Sequence, residues 1–284
     1  MRKNLSERAD LHVHTTFSDS VLTPGEVVGK ALEMGLGVIS ITDHDCVEGI
    51  QPAMEAASGK AIEIVPGIEI SAAAGDDEVH ILGYFIDDKD VKLTDTLKRM
   101  KENRVERIRN ILGLLRKEGL DLEEKHIFND VVDGTIGRMH LARIMVEKGF
   151  VENHYEAFDK YLGNGKPCCL KHVRLDYTKA IFMIRSSGGV PVIAHPGTMG
   201  NDDFFKDYVA AGLRGVEVYH VKHRNNEKNR YMLIAEKYGL IATGGSDCHG
   251  MVSLGRILMG RATVGLETVK MLREESKKIR LKGC

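Results

Sequence analysis

Nine histidines and carboxylates are spaced along the chain so that one hydrolytic metal centre could use them all. His12 and His14 close the run ADLHVH, and residues two apart on a strand project to the same side, so both imidazoles can converge on one ion. Asp19 follows five residues later, Asp43-His44-Asp45 follows GVISIT, and Glu69 stands at the end of AIEIVPGIEI. His80 lies in VHILGYF, His195 ends VPVIAH, and Asp247 and His249 follow LIATGG. Each is unremarkable alone, since a single HxH is more often a pair of satisfied structural histidines; the case rests on repetition at the ends of apolar runs. Mixed nitrogen and oxygen donors without a cysteine cluster suit zinc, manganese or iron. Nine donors exceed the needs of one ion, whereas two or three divalent ions sharing carboxylates can activate water and stabilise the attacking and leaving oxygens of a phosphate ester. Phosphoester hydrolysis is the chemistry expected. No GxxxxGK[ST] loop, GxGxxG fingerprint or GxSxG elbow supports a nucleotide-driven, nicotinamide or serine-hydrolase alternative.

These residues need a scaffold that delivers strand ends to one place. Runs at 9–14, 37–42, 61–70, 79–85, 190–195, 215–220 and 240–245 read as seven buried strands. Helix-like stretches separate them: one from Thr23-Pro24 through Leu32, one over 47–57 and one over 224–238. Alternating strands and helices predict a parallel α/β sheet, open or closed, and the polar groups fall at the carboxyl ends of its strands, where such folds assemble sites. Residues 88–171 break the rhythm. Stretches 91–117, 121–132, 138–149 and 153–162 read as helices with no strand between them, which predicts a helical insertion or cap over 88–171 between barrel parts at 1–87 and 172–284.

Composition narrows the setting. Among 284 residues, 40 Lys and Arg nearly cancel 41 Asp and Glu, which removes a basic surface for coating long nucleic acid. No apolar run reaches the roughly 18 residues of a membrane span, and the opening MRKNLSERADLHVH lacks the apolar stretch of a secretory signal. Five cysteines without framework spacing fit a reducing compartment, so a cytoplasmic protein is expected. Cys168 and Cys169 read as packing residues, and Cys248, between Asp247 and His249, as a bystander.

DLHVHTTFSD, ITDHD, GIEIS, HILGY, AHPG and GGSDCHG, in this order, resemble the PHP (polymerase and histidinol phosphatase) family of metal-dependent phosphoesterases. The resemblance implies a distorted seven-stranded TIM-like (β/α) barrel. It also implies three metal positions: His12, His14, Glu69 and Asp247; Glu69, His80 and His195; and Asp19, His44 and His249. All nine positions carry the residue types the pattern requires. Cys46 after DHD and Cys248 depart from commoner residues, and neither removes a ligand. Asp43 and Asp45 are expected to orient His44 or to cap the next helix.

GRMHLARIMVEKG at 137–149 resembles the GRxHxA segment of the stand-alone branch that includes nucleoside 3′,5′-bisphosphate phosphatases and short-RNA 5′→3′ exonucleases. That implies Arg138 and His140 as substrate contacts over the barrel mouth, with Arg138 suited to bidentate phosphate binding. Lys171, Arg174, His220 and His223 are further candidates for a second phosphate or for supporting the metals. The implied partners are a small nucleotide or short oligoribonucleotide, without long duplex nucleic acid or membrane. A histidinol-phosphatase-like activity, a polymerase-associated exonuclease and a non-catalytic metal-binding module are the competing readings. GRMHLAR speaks against the first, the net charge of −1 against the second and the complete ligand set against the third.

Overall fold

The computed structural model describes residues 6–75, 77–128, 135–170, 174–199, 202–250 and 257–283. The seven expected strands form at the expected places: β1 (Arg8–Val13), β2 (Val38–Ile41), β3 (Glu63–Ala74), β4 (Asp77–Tyr84), β6 (Val190–Ile193), β7 (Gly215–His220) and β8 (Ile241–Gly245). Two-residue strands β5 (Leu175–Asp176) and β9 (Val264–Gly265) join them, so the sheet runs β8-β7-β6-β4-β3-β2-β1-β9 with β5 against β3. β8 comes round to β1. The Asp247 N–H donates to the His12 carbonyl, the His14 N–H donates to the Cys248 carbonyl, and a Cβ on Gly245 would lie 2.3 Å from the His12 Cβ. Only glycine allows so close an approach, and the result is a nearly closed, barrel-shaped α/β sheet of the TIM-like kind.

The sheet is not wholly parallel. β1, β2 and β3 pair in parallel, as do β6, β7 and β8, whereas β4 is antiparallel to both β3 and β6. The reason is the two-residue gap between Ala74 and Asp77, too short for a helical crossover and sufficient for a hairpin. Its register sets Glu69 opposite Leu82 and Ser71 opposite His80, so Glu69 and His80 are diagonal neighbours.

The helices form for local reasons. In α1 (Pro24–Glu33), Thr23 Oγ1 accepts the Glu26 N–H while Glu26 accepts the Thr23 N–H, and Pro24 opens the first turn. α2 (Ile50–Ala57), α7 (Tyr177–Ser186), α8 (Phe205–Ala211) and α9 (Asn225–Tyr238) cover the sheet. A helix not read from the sequence, α10 (Leu266–Lys282), lays Val269, Leu272 and Ile279 against Leu11, Val190 and Val192.

Residues between β4 and β5 are helical in all their described elements: α3 (Val91–Lys117), α4 (Glu124–Phe128), α5 (Arg138–Glu147) and α6 (His154–Ala157), the last continued by a π-helical turn over Phe158–Leu162. The expected helix over 121–132 is shorter where described, and 129–132 lie outside the described residues. Their buried side chains, among them Ile108, Ile111, Leu115, Leu141, Met145 and Leu162, form a hydrophobic cluster of their own. Cys168 is buried in that cluster, as expected of a packing residue; Cys169 is only half-buried and accepts a hydrogen bond from Arg138 at 3.5 Å. Cys248 is buried in the hydrophobic core. No described helix is long and apolar enough to cross a membrane.

Candidate metal centre

Glu69 is the hub of the site. One of its oxygens, Oε1, lies 2.9 Å from His80 Nδ1 and 3.1 Å from His195 Nε2. The other, Oε2, lies 3.2 Å from His12 Nε2, 3.3 Å from His14 Nε2 and 3.2 Å from His44 Nδ1. Asp247 Oδ1 lies 3.2 Å from His14 Nε2, and Asp19 Oδ1 lies 3.1 Å from His249 Nε2. All nine residues expected to act as ligands therefore converge, from within β1, β3 and β4 and from the segments that follow β1, β2, β6 and β8.

Donor atoms gather in three groups, each with its atoms within 4.8 Å of one another: His12, His14, Glu69 and Asp247; His44, Glu69 and His80; and His14, Asp19, His44 and His249. The first group has the composition implied by the resemblance. The second contains His44 where the resemblance implied His195, whose Nε2 instead meets Glu69 Oε1, and the third adds His14.

The donors fit divalent ions. His12 Nε2, His14 Nε2, His44 Nδ1, Asp19 Oδ1 and Glu69 Oε2 are buried and form no hydrogen bond, although several lie 3.1–3.3 Å from a polar neighbour. They are drawn together in the same three groups, within 4.8 Å of one another. Buried polar atoms left in this state cost about 1–3 kcal/mol each, so the cluster is arranged for something other than its own stability.

Charge in the cluster is sharply divided. Burial works to raise Glu69, Asp247 and Asp19, yet the surrounding imidazoles hold all three well below the usual carboxylate range. Burial works to lower His14 and His80, but the carboxylates carry both up to about 10. For His44 burial prevails and takes it down to about 4, so it is a neutral donor. Three site residues, Asp45, His195 and Asp247, have positive φ of 50°, 28° and 53°, a conformation costly for side-chain-bearing residues and common where function over-determines the backbone.

A buried frame holds the donors. Glu217 Oε1 lies 2.9 Å from His12 Nδ1, and its Oε2 accepts the His195 N–H. The sequence reading missed it; a lone carboxylate inside the apolar strand GVEVYH was the available signal. Asp10 accepts the Ser246 and Gly260 N–H groups, tying the approach to Asp247 to β1. Asp43 accepts from the Thr15 N–H, Thr15 Oγ1 and Ser18 Oγ, and Asp45 accepts from the Ser71 N–H and pairs with Arg104. Neither caps α2, whose N-cap is Gly49; they brace the loops on either side of His44 instead.

Above the donors lies a cavity of about 180 Å³ whose floor includes Asp19, His44 and His80 and whose wall carries Arg104, Arg107, Arg138 and Arg174. Arg174 pairs with Glu78 and Arg104 with Asp45, while Arg107 and Arg138 bond the Leu170 and Leu162 carbonyls and meet no carboxylate among the described residues. Burial and then the neighbouring guanidiniums of Arg138, Arg104 and Arg174 pull Arg107 down to about 10. So many cations on one wall favour an anion beside them. Arg104 and Arg107 were not singled out in the sequence.

Other expected contacts lie elsewhere. His140 faces away from this cavity: its Nδ1 accepts the Gly137 N–H, and it hydrogen-bonds the Ser18 backbone. His223 is occupied at both ring nitrogens, by the Val218 carbonyl and the Gly197 N–H, and so supports the turn after His195. His220 Nε2 lies 3.4 Å from Asp247 Oδ2. Lys171 lies outside the described residues.

Comparison with known proteins agrees with this geometry. The PHP domain profile matches residues 10–162. A 3′,5′-nucleoside bisphosphate phosphatase from Chromobacterium violaceum is 36% identical, over 87% of this chain and 89% of the relative. The 5′-3′ exoribonuclease Rnm of Escherichia coli is 35% identical, over 94% of each chain. A crystal structure from Bifidobacterium adolescentis, assigned as a metal-dependent phosphoesterase, superposes with a TM-score of 0.87 at 27% identity, covering 94% of this chain and 96% of that one. The donor cluster, the barrel and these matches agree, and the chain belongs to the PHP domain family.

Proposed function

We propose that this protein is a metal-dependent phosphoesterase that hydrolyses a phosphate ester of a small nucleotide, converting a 3′,5′-bisphosphonucleotide to a nucleoside 5′-monophosphate, and that also acts on the 5′ ends of short RNA. The observation that carries this reading is the wall of four arginines facing three groups of carboxylate and imidazole donors across one small cavity. His12, His14, Asp19, His44, Glu69, His80, His195, Asp247 and His249 would hold two or three divalent ions, with manganese, zinc or iron suited to the donor set. Bound there, the ions supply Lewis acidity towards phosphoryl oxygens and activation of water.

The chain's own groups do the rest. Arg107 and Arg138 take the phosphate charge, because they are held by the Leu170 and Leu162 carbonyls and neither forms an ion pair with a carboxylate among the described residues. Glu217 keeps the His12 ring turned so that Nε2 faces the donors, and holds the His195 backbone. Arg143 donates to the Asp19 carbonyl and Thr135 N–H to the Phe17 carbonyl, fastening the helical segment to the ligand loop. In this reading residues 88–171 are a cap that supplies phosphate contacts, and 1–87 with 172–284 form the barrel that supplies the donors. The described cysteines are all free, in keeping with a cytoplasmic setting.

The test is phosphate release by manganese-loaded protein from adenosine 3′,5′-bisphosphate, AMP, histidinol phosphate and a 5′-phosphorylated short RNA. Preference for the bisphosphate or the RNA is expected. Inertness towards all four, with metal content verified, would reject the substrate class.

A further inference from the structure

A second cavity opens on the flank where α3 meets α7, and it shares Arg174 as a wall with the arginine pocket. The pocket over the donors has about 180 Å³, below the roughly 300–1,000 Å³ of sites that enclose an organic ligand. It suits a terminal phosphate and leaves most of a nucleotide chain outside. The flank cavity has about 460 Å³, enough to take the next part of such a chain.

The lining of the flank cavity is specific in kind. On α3, Lys92, Thr96, Arg99 and Asn103 succeed one another at spacings of four, three and four, which puts them on one helix face, with Leu93 and Met100 buried beside them. On α7, Lys179 and Phe182 are three apart and likewise share a face. The lining holds four cations, Lys92, Arg99, Arg174 and Lys179, of which Arg174 is paired with Glu78, against one lining carboxylate, Asp90, whose Oδ1 already accepts the Leu93 N–H. Lys92 and Lys179 are exposed and have no ion-pair partner among the described residues. Phe182 is 62% exposed, an aromatic face left to solvent at the edge of a basic groove. A track of cations with an exposed aromatic platform is the arrangement by which proteins hold single-stranded nucleic acid without reading its sequence.

We propose that the α3–α7 groove binds the 3′ continuation of a single-stranded oligoribonucleotide whose 5′-phosphate end sits in the arginine pocket. This rests on the phosphoesterase reading of that pocket and extends it from a mononucleotide to a chain. Phe182 stacks on a base beyond the scissile phosphate, and Lys92 and Lys179 meet the next backbone phosphates.

The experiment compares wild type with Phe182→Ala and with the double variant Lys92→Glu/Lys179→Glu. Manganese-loaded protein is assayed on adenosine 3′,5′-bisphosphate and on a 5′-phosphorylated ribotrinucleotide; metal-free protein is titrated into a 3′-fluorescent 5′-phosphorylated pentaribonucleotide and followed by anisotropy. Each variant is expected to weaken pentaribonucleotide binding and raise KM for the trinucleotide by about tenfold or more, while leaving KM and kcat for the bisphosphate unchanged. The double variant should also flatten the dependence of log affinity on log salt by roughly 1.4, about 0.7 for each lysine lost. Unchanged oligonucleotide binding and KM in both variants, with the bisphosphate still cleaved, overturns the groove and leaves the phosphatase reading standing. Failure of wild type to cleave either substrate overturns the phosphatase reading, and the anisotropy titration still decides whether the groove holds RNA.

Discussion

Glu217 Oε1 and His12 Nδ1 lie 2.9 Å apart with both side chains fully buried, a contact between residues 205 positions apart in sequence. Burial would raise the Glu217 carboxyl, but His12 and His220 hold it below its ordinary value, so it is an ionised acceptor. Glutamine offers one acceptor oxygen and could serve His12 or the His195 N–H, not both. Glu217→Gln should therefore weaken manganese binding by roughly 10- to 100-fold while the far-ultraviolet circular dichroism stays unchanged. Calorimetric titration with metal is the check, and wild-type affinity in the variant would remove Glu217 from the frame of the site.

Arg138 and His140 sit two residues apart and are expected to behave differently. Arg138→Ala removes a cation facing the pocket, and loss of a charged hydrogen bond of about 1.5–3 kcal/mol raises KM for the bisphosphate by roughly 10- to 150-fold. His140→Ala removes the acceptor for the Gly137 N–H at the start of α5, so it should cost about 1 kcal/mol of stability. Steady-state kinetics and thermal melts on both variants separate the roles. Equal loss of kcat/KM in the two would contradict the placement of His140 outside the pocket.

Metal affinity should rise with pH. In the metal-free protein burial opposes protonation of His14 and His80, but Asp247 and Glu69 around the first, and Glu69 and Glu78 beside the second, raise both to about 10. A raised folded value means that these protons stabilise the metal-free fold fully below about pH 6.5, the ordinary imidazole value, and that this share is lost as pH rises through about 10. The lowered values of Asp19, Glu69 and Asp247 act in the opposite sense, and their share is lost as pH falls below the ordinary carboxylate range. Metal binding needs neutral imidazole, so it should release protons at pH 7.5. Titrating manganese in buffers of different ionisation enthalpy measures that number; zero release would refute the coupling.

Removing Arg104 should damage the fold as well as the pocket. Its guanidinium pairs with the buried Asp45 and bonds Ser71 Oγ, so Arg104→Ala leaves a buried carboxylate without its cation. Breaking a buried pair from one side typically costs about 3–5 kcal/mol. A clear fall in Tm is expected for Arg104→Ala, with partial recovery in Arg104→Ala/Asp45→Asn. If the single variant melted at the wild-type temperature, the pair would carry no structural weight.

How much was legible in the sequence depends on the range of the interactions. His12 and His14 could be paired because a strand repeats every two residues, and the seven strands could be placed because buried runs end in polar residues. Glu69 could be named a ligand, but not the hub, because that depends on which strand ends meet its two oxygens. The antiparallel β4 was hidden because its cause, a two-residue gap, is visible only once the strand bounds are known. Arg104 and Arg107 were lost among the charges of α3, where nothing local says which face turns to the barrel. His140 was named from the GRMHLAR resemblance and His223 from its place near a strand end, and neither signal says which partners the ring nitrogens meet.

The sequence by itself determined the donor types, their places in or just after the strands, the helical stretch between the two runs of strands and the family those motifs resemble, all of which are encoded in local periodicity and chemistry. Only the tertiary structure decided which donors share a point, that Glu217 holds two of them, and that four arginines face the cavity. Those relationships join residues tens to hundreds of positions apart, and they exist only when barrel closure and helix docking fix distances that no local pattern contains.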